Sequence, residues 1–441
     1  MNHVWTYNRQ PPRPTWGVHV PSMKQAATAQ PIRPAPPPDE ATISLAQAAG
    51  RAAEPLVQVG ERVCTGQPVA RRADGGQVHA SLTGTVTAIA ELEVPAVAAR
   101  RAPCVVIRRE GPELMHPDCR PVSRPLELDP AEIRARIAAA GIVGLGGALF
   151  PTADKLAAGK PVRALLINGA ECEPWISCDE MLLRERTQLV ITGAQIMMHT
   201  LAAGHCVIAV EADMPEARVA IHDALAHLGD DRFGLSVVTA KYPAGGERQL
   251  IELVTGEEVP SGGLPRDIGY VCQNAGTAAA VAELFVHGRP LISRIVTVTG
   301  GAVMKPGNFE ARIGTPIRDL IELAGGYRGT PERLLMGGPM MGFALPDDAL
   351  PVTKATNCIV AAGAGEIAPP RPEMPCIRCG ECLHVCPARL LPQDLLTAAR
   401  HGDTRRLGEL GLADCIECGC CDYVCPSYIP LTARFAAAKS R

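Results

Sequence analysis

Cys376-Ile377-Arg378-Cys379-Gly380-Glu381-Cys382-Leu383-His384-Val385-Cys386-Pro387 is repeated further along as Cys415-Ile416-Glu417-Cys418-Gly419-Cys420-Cys421-Asp422-Tyr423-Val424-Cys425-Pro426. In each copy three cysteines are separated by two residues, and a fourth, three residues further on, precedes a proline. Three thiolates at that spacing wrap one face of an iron–sulfur cube, while the fourth points away and ligates the neighbouring cube. The two copies therefore work as a pair. The spacing predicts one [4Fe-4S] cluster on Cys376, Cys379, Cys382 and Cys425, and a second on Cys415, Cys418, Cys421 and Cys386. Structural zinc usually takes paired knuckles of Cys or His, so three cysteines with a crossed fourth favour iron–sulfur over zinc. Cys420 falls outside the repeat and reads as a bystander.

Composition limits what can surround those clusters. With 441 residues and 47% hydrophobic content the chain can bury several cores, and length alone suggests about three domains. Basic and acidic residues number 43 and 46, so a net charge of −3 leaves no footprint for nucleic acid. Aromatics, at 3%, offer no stacking platform for single strands either. Seventeen cysteines would suit a secreted disulfide scaffold, but the clusters need reduced thiols and the amino terminus lacks a charged-then-apolar signal pattern. A reducing, cytoplasmic setting is the expectation. No run approaches about 18 consecutive apolar residues, so no spanning helix is predicted, and attachment to a membrane through partners stays open.

Working back from the tail, residues 366–441 form the expected ferredoxin-type domain, with 392–411 a helix turning Leu395, Leu396 and Leu407 inward. It is entered through a proline-rich linker, 363–375, across which few contacts are expected. Residues 291–365 read as a strand at 294–299, a turn at Pro306-Gly307-Asn308, a short helix at 316–324 closed by Gly325-Gly326, and a strand near Arg333. That order suggests a β-grasp unit, with Met340 and Met341 as packing residues. Residues 120–290 alternate: helix 130–141, strand 162–167, helix 179–203, strand 205–210, helix 215–228 and strand 235–239. Such alternation argues a mainly parallel sheet covered by helices. Residues 41–115 show short strands with glycine turns, as in a small β-sandwich or barrel. Their phrasing resembles lipoyl- and biotinyl-carrier modules, but no lysine is present to carry a cofactor, so the module is structural. Residues 1–40, rich in proline, read as an extended arm that either lies across a partner or the chain's own domains, or stays loose.

The 120–290 segment holds the candidate site. Gly141-Ile142-Val143-Gly144-Leu145-Gly146-Gly147-Ala148-Leu149-Phe150-Pro151-Thr152 lets backbone N–H groups approach a flat or anionic ligand, and Pro151 opens a turn whose N-terminus suits a phosphate. Because it follows a helix, it is not the Rossmann fingerprint. Asn168-Gly169-Ala170-Glu171-Cys172-Glu173-Pro174 stands at the carboxyl end of a strand, where ligands of open α/β sheets bind. Glu171 and Glu173 there either hold ribose hydroxyls or steer a nicotinamide, or are simply acids on a solvated loop; Cys172 and Cys178 read as packing residues. Lys241-Tyr242-Pro243-Ala244-Gly245-Gly246-Glu247-Arg248-Gln249 and Val271-Cys272-Gln273-Asn274-Ala275-Gly276-Thr277 open two further helices, with groups suited to a flavin's edge or ribityl chain. Each alone is an ordinary cap or turn. Together they point to one site.

In this order, the glycine loop, the Asn168–Pro174 segment, Lys241-Tyr242-Pro243-x-Gly245-Gly246-Glu247 and the twin cysteine motif make the chain resemble the RnfC family of Rnf (Rsx) electron-transport complexes. The resemblance runs over nearly the whole length, from Trp16-Gly17-Val18-His19 onward. It implies a multidomain α/β architecture: a lipoyl-like β module, an α/β domain like the flavoprotein of respiratory complex I, a soluble-ligand-binding β-grasp (SLBB) domain, and a ferredoxin-like domain with two [4Fe-4S] clusters. It implies a pocket for non-covalent FMN and NADH lined by Gly144, Gly146, Gly147, Asn168, Tyr242, Gly246, Glu247, Asn274 and Thr277, with Lys155, Glu171 and Glu173 nearest the chemistry. The implied activity is hydride exchange with NAD(H) and one-electron transfer through the clusters, a conversion that flavins perform. The implied place is peripheral, on the cytoplasmic face of the bacterial inner membrane, among membrane subunits that move ions, with ferredoxin or another one-electron carrier as partner. Leu149 departs from related loops, which often have glycine there, and a side chain facing the cofactor would crowd it. Two other readings share these parts: a soluble relative that reduces a corrinoid, and an electron-carrying protein without flavin.

Overall fold

The computed structural model describes residues 14–50, 52–95, 100–157, 159–369 and 371–440. Residues 1–13 of the expected arm lie outside them. At the centre, four strands run parallel in the order Phe233–Val238, His205–Glu211, Ala164–Asn168 and Tyr270–Asn274. Their side chains alternate between two cores: Leu165, Ile167, Cys206 and Ile208 pack on one face, and Ala164, Leu166, Ala209 and Tyr270 on the other. Both faces of the two central strands are buried, which is why 164–167 and 206–210 read as unbroken apolar runs. Helices Thr187–Leu201 and Ala275–His287 lie against the first core, and Glu247–Thr255 lies against the second.

Three local expectations change. The strand Tyr270–Asn274 is not visible in the sequence, where the segment reads only as a helix opening. The expected helix 179–203 is two, Cys178–Glu185 and Thr187–Leu201, broken at Arg186 (φ −132°, ψ 33°), whose guanidinium pairs with Glu310 at 2.8 Å. The expected helix 392–411 is also two, Pro392–His401 and Thr404–Glu409, because Gly402 takes a left-handed conformation (φ +66°) that ends the first.

The β module packs a four-stranded sheet (Glu40–Ser44, Arg100–Arg109, Gly84–Val94, Arg62–Val63) around a common core with a three-stranded one (Glu54–Pro55, Pro68–Arg71, Gln77–His79). The β-grasp sheet gains an edge strand from the arm: Arg33–Pro34 pairs in parallel with Gly307–Arg312. The described part of the arm is thus a strap over the chain's own domains. Trp16 is buried, Val18 pairs with Tyr242, and Lys24 is buried beside Glu171 and Glu211.

In the tail the sequence repeat is a backbone repeat. Arg378 and Glu417 are both left-handed (φ +58° and +55°), as are Arg389 and Tyr428 (φ +53° and +51°), each pair as far apart in the chain as Cys376 and Cys415. The short helices Glu381–His384 and Cys420–Tyr423 match in the same way. The expectation of few contacts across the linker fails. Gly17 N donates to Val385 O (2.9 Å), Tyr242 Oη to Cys418 O (2.7 Å), and Arg389 Nη2 to Glu252 Oε1 (2.6 Å), while Ser261 bonds Asp414. A proline-rich linker sets the backbone path, but side chains far away in sequence decide docking. No helix among the described residues is long and apolar enough to cross a membrane.

Candidate functional site

The site is built at the carboxyl edge of the parallel sheet, where Asn168 and Asn274 end neighbouring strands in register. Asn274 also caps the helix Ala275–His287: its Oδ1 accepts from Thr277 N (3.2 Å), and its Nδ2 donates to Asp179 Oδ2 (2.5 Å). Thr277 is fully buried, and its hydroxyl accepts from Leu145 N (2.9 Å), pinning the glycine loop to the sheet edge. Asn168 Nδ2 donates to Gly245 O (2.8 Å), fixing the opening of the next helix. Two asparagines and a threonine therefore hold three separate loops in one place.

The glycine loop turns bare backbone outward. Among the described residues, a Cβ on Gly147 would meet nothing within 4 Å, and one on Gly146 only Asn274 Cβ and Nδ2 at 3.8 and 3.9 Å. This open surface beside Asn274 can take a flat ring against the main chain. Leu149 has a left-handed backbone (φ +52°), which accounts for glycine being favoured there. Its side chain packs against the domain core, so the crowding expected of a cofactor-facing leucine is not imposed. On the open side Lys155 Nζ pairs with Glu247 Oε1 at 2.7 Å, both partly exposed.

The acids of the Asn168–Pro174 segment are placed differently from the sequence reading. Glu171 is buried and accepts from the amides of Asp179 (3.1 Å) and Glu180 (3.2 Å), capping the helix Cys178–Glu185. Glu173 accepts from Met340 N (3.1 Å) and Met341 N (2.8 Å), and burial pushes its carboxyl up to about 7. Both carboxylates are engaged inside the protein. They position backbone here, each of their oxygens accepting an amide hydrogen bond. Two positioning residues escape the sequence reading. Asp179, pushed up to about 7 by burial and by Glu171, holds Asn274; Arg294 reaches from the β-grasp domain to Leu145 O at 3.4 Å. Neither belongs to a motif, so no local pattern marks it.

Tyr242 is buried rather than lining an open pocket. Its hydroxyl donates to the carbonyl of Cys418, so the loop 241–247 touches the cluster domain at one end and Lys155 at the other. The cysteines gather around two cavities. One is lined by Cys386, Cys415, Cys418 and Cys421, with Cys420 beside them, and the other by Cys376, Cys379, Cys382 and Cys425. Each draws three thiols from one motif copy and the fourth from the other, a donor set that fits a [4Fe-4S] cube. The first cavity is inner: Tyr242, Val18 and Met340 pack with Cys418 and Cys420 over it. Cys420 is buried in that packing and lines the inner cavity as a fifth cysteine, outside the motif spacing. The second is outer, with Cys376 and Cys379 exposed.

Four known domains match along the chain: an RnfC barrel sandwich hybrid domain over 14–112, a Nuo51 FMN-binding domain over 137–283, an SLBB domain over 295–344 and a 4Fe-4S dicluster domain over 375–429. The C subunit of the ion-translocating oxidoreductase complex of Pseudomonas aeruginosa is 47% identical over 96% of this chain and 55% of its own length. The equivalent protein of Yersinia pestis is 43% identical over 96% of this chain and 68% of its own. The chain belongs to this RnfC family. The Serratia proteamaculans member, 42% identical, is covered over 60% of its length, so the chain spans little more than half of the first relatives it matches. Within the RnfC chain the glycine loop, Asn168 and Asn274 fall in the FMN-binding domain and all eight motif cysteines in the dicluster domain. An NAD+-reducing [NiFe]-hydrogenase structure overlaps 75% of the chain and 64% of its own, at 20% identity and a TM-score of 0.48.

Proposed function

We propose that the chain is the flavin- and cluster-bearing member through which an ion-translocating oxidoreductase complex exchanges hydride with NAD(H) and passes single electrons onward. Its place would be the cytoplasmic face of the inner membrane, held there by the other subunits. The observation that carries this reading is the loop 241–247, which bonds Cys418 of the inner cysteine set at one end and Lys155, just beyond the glycine loop, at the other. When bound, FMN supplies the conversion between a nicotinamide's hydride and the one-electron exchange of two [4Fe-4S] clusters. The backbone at Gly144, Gly146 and Gly147 would bear on the flavin, with Thr277 and Asn274 holding the loop rigid and Asn168 and Gly246 closing the adjacent wall. Lys155 and Glu247, on the open side, would meet the nucleotide. Cys386, Cys415, Cys418 and Cys421 would hold the inner cluster, shielded from water by Tyr242 and Val18. Cys376, Cys379, Cys382 and Cys425 would hold the outer one.

The outer set stands where an electron can leave the protein. Ile377 (68% exposed) and Met374 (46% exposed) flank it, an apolar skirt of the kind at which ferredoxin or another one-electron carrier docks. The test of the pocket uses Gly146→Leu, whose side chain has room in the free protein. Wild-type protein reconstituted with FMN is expected to keep its flavin through gel filtration and to be bleached anaerobically by NADH. The variant is expected to melt like wild type but to lose the flavin. Retention of flavin by a folded Gly146→Leu would remove this loop from the pocket.

A further inference from the structure

Lys354 is a buried cation that neither the flavin site nor the clusters use. It belongs to the β-grasp domain, is 3% exposed, and donates from Nζ to Gly141 O (2.7 Å), just past the helix Pro130–Ala139. That bond caps a helix end and occupies one of three N–H groups. Facing it is Arg72, on the turn between the strands Pro68–Arg71 and Gln77–His79 of the β module. Arg72 holds Asp74 through Nε and Nη2, while its Nη1 is buried with no hydrogen-bond partner among the described residues. Lys354 and Arg72 line one cleft, together with Gln47, Gly76, Ile142 and Pro151, of about 480 Å³ with its open mouth included. Two acids also line it, Asp74, which is paired with Arg72, and Asp154, on the exposed side; Gln47 is occupied by the Lys354 amide (2.8 Å).

We propose that this cleft binds a small oxyanion, of the phosphate or carboxylate class, between Lys354 Nζ and Arg72 Nη1. Two cations share the cleft, and the one acid close to Arg72 is already bound to it. Burial first, and the Arg72 charge second, push Lys354 down to about 7. An anion between them would accept charge-assisted bonds from both and restore the lysine's charge. The site is separate from the flavin surface, since Gly146 and Gly147 do not line it. It touches both flanks of the glycine loop, because Ile142, Val143 and Pro151 line the cleft and Val143 bridges to Pro151. An occupant would therefore tie the β module and the β-grasp domain to the base of that loop.

The test is calorimetric titration of the FMN-loaded protein with inorganic phosphate and, separately, with malonate, against chloride at equal ionic strength. FMN keeps its own phosphate site filled during the titration. At least one of the two anions is expected to bind wild type at a single site, and the tighter of them assigns the class. Lys354→Met and Arg72→Met are each expected to weaken that binding about tenfold or more. Lys354→Met also removes the helix-end bond and lowers the melting temperature, but Arg72→Met leaves that bond intact, so the two separate anion binding from folding. Absence of binding to wild type, or wild-type affinity in either variant, would overturn the site.

Discussion

Around Cys386, Cys415, Cys418 and Cys421 the chain packs Tyr242, Val18 and Met340, whereas Cys376 and Cys379 stand exposed beside Ile377. The two sites share a motif, a set of left-handed residues and matching helices. Their difference comes entirely from what other segments lay against them. Covalent spacing builds two equivalent cradles, and the strap, the loop 241–247 and the Met340 segment then bury one. Under the proposed function this asymmetry would give the relay a direction, the buried cluster meeting the nucleotide domain and the open one meeting a partner.

The largest expected effect comes from removing one crossed ligand. Two cubes need about eight irons per chain, and Cys386→Ala and Cys425→Ala are each expected to lose about four. The cluster left in Cys386→Ala is the open one and should be stripped readily by a chelator; the one left in Cys425→Ala should resist. The reverse order of susceptibility would show that the crossed assignment, or the burial, is wrong.

Next is the strap that covers the inner site. Lys24 is a single buried ammonium beside Glu171 and Glu211; burial pushes it down, but those carboxylates hold it above its ordinary value. Lys24→Met leaves buried acids without their cation and is expected to cost about 3–5 kcal/mol in chemical denaturation. The same cluster sets a pH dependence. Burial outweighs Lys24 and raises the Glu211 carboxyl from 4.5 to about 8. The folded protein thus keeps a proton that the unfolded chain has lost, and stability falls as pH rises from about 4.5 to about 8. Glu211→Gln is expected to make that slope shallower, with Glu173 and Asp179, each raised to about 7, carrying the remainder, and an unchanged slope would place the titration elsewhere.

The smallest effect expected is that of Tyr242→Phe, which keeps the ring over the inner site and removes only the bond to Cys418 O. The loss should be about 0.5–1.5 kcal/mol, with iron content unchanged. A full loss of the inner cluster in this variant would mean that the hydroxyl, and not the packing, holds the two domains together.

Much of this is legible in the sequence, for local reasons. Cluster ligands lie within one short stretch, so spacing alone reports their geometry. The parallel sheet shows itself because strands buried on both faces are continuous apolar runs, and Asn168 and Asn274 stand out as polar residues next to glycines. What cannot be read depends on partners far away. Glu171 looks like a ligand-binding acid until the helix it caps is in place, and Glu173 until the amides of Met340 and Met341 arrive. Lys24, Asp179 and Arg294 carry no motif at all. The strand Tyr270–Asn274 is hidden because Gln273 and Asn274 cut its apolar run to three residues and it runs straight into a helix.

If electrons from the nucleotide domain enter at the inner site, removing either cluster should have unequal consequences. Rapid-freeze paramagnetic resonance of the flavin-loaded Cys425→Ala and Cys386→Ala proteins, mixed anaerobically with NADH, tests this directly. With only the inner cluster present, in Cys425→Ala, a reduced-cluster signal should appear as fast as in wild type. With only the outer one present, in Cys386→Ala, flavin bleaching should proceed while the cluster signal lags far behind. Equally fast reduction of the outer cluster in Cys386→Ala would contradict the order inferred from the Tyr242–Cys418 contact.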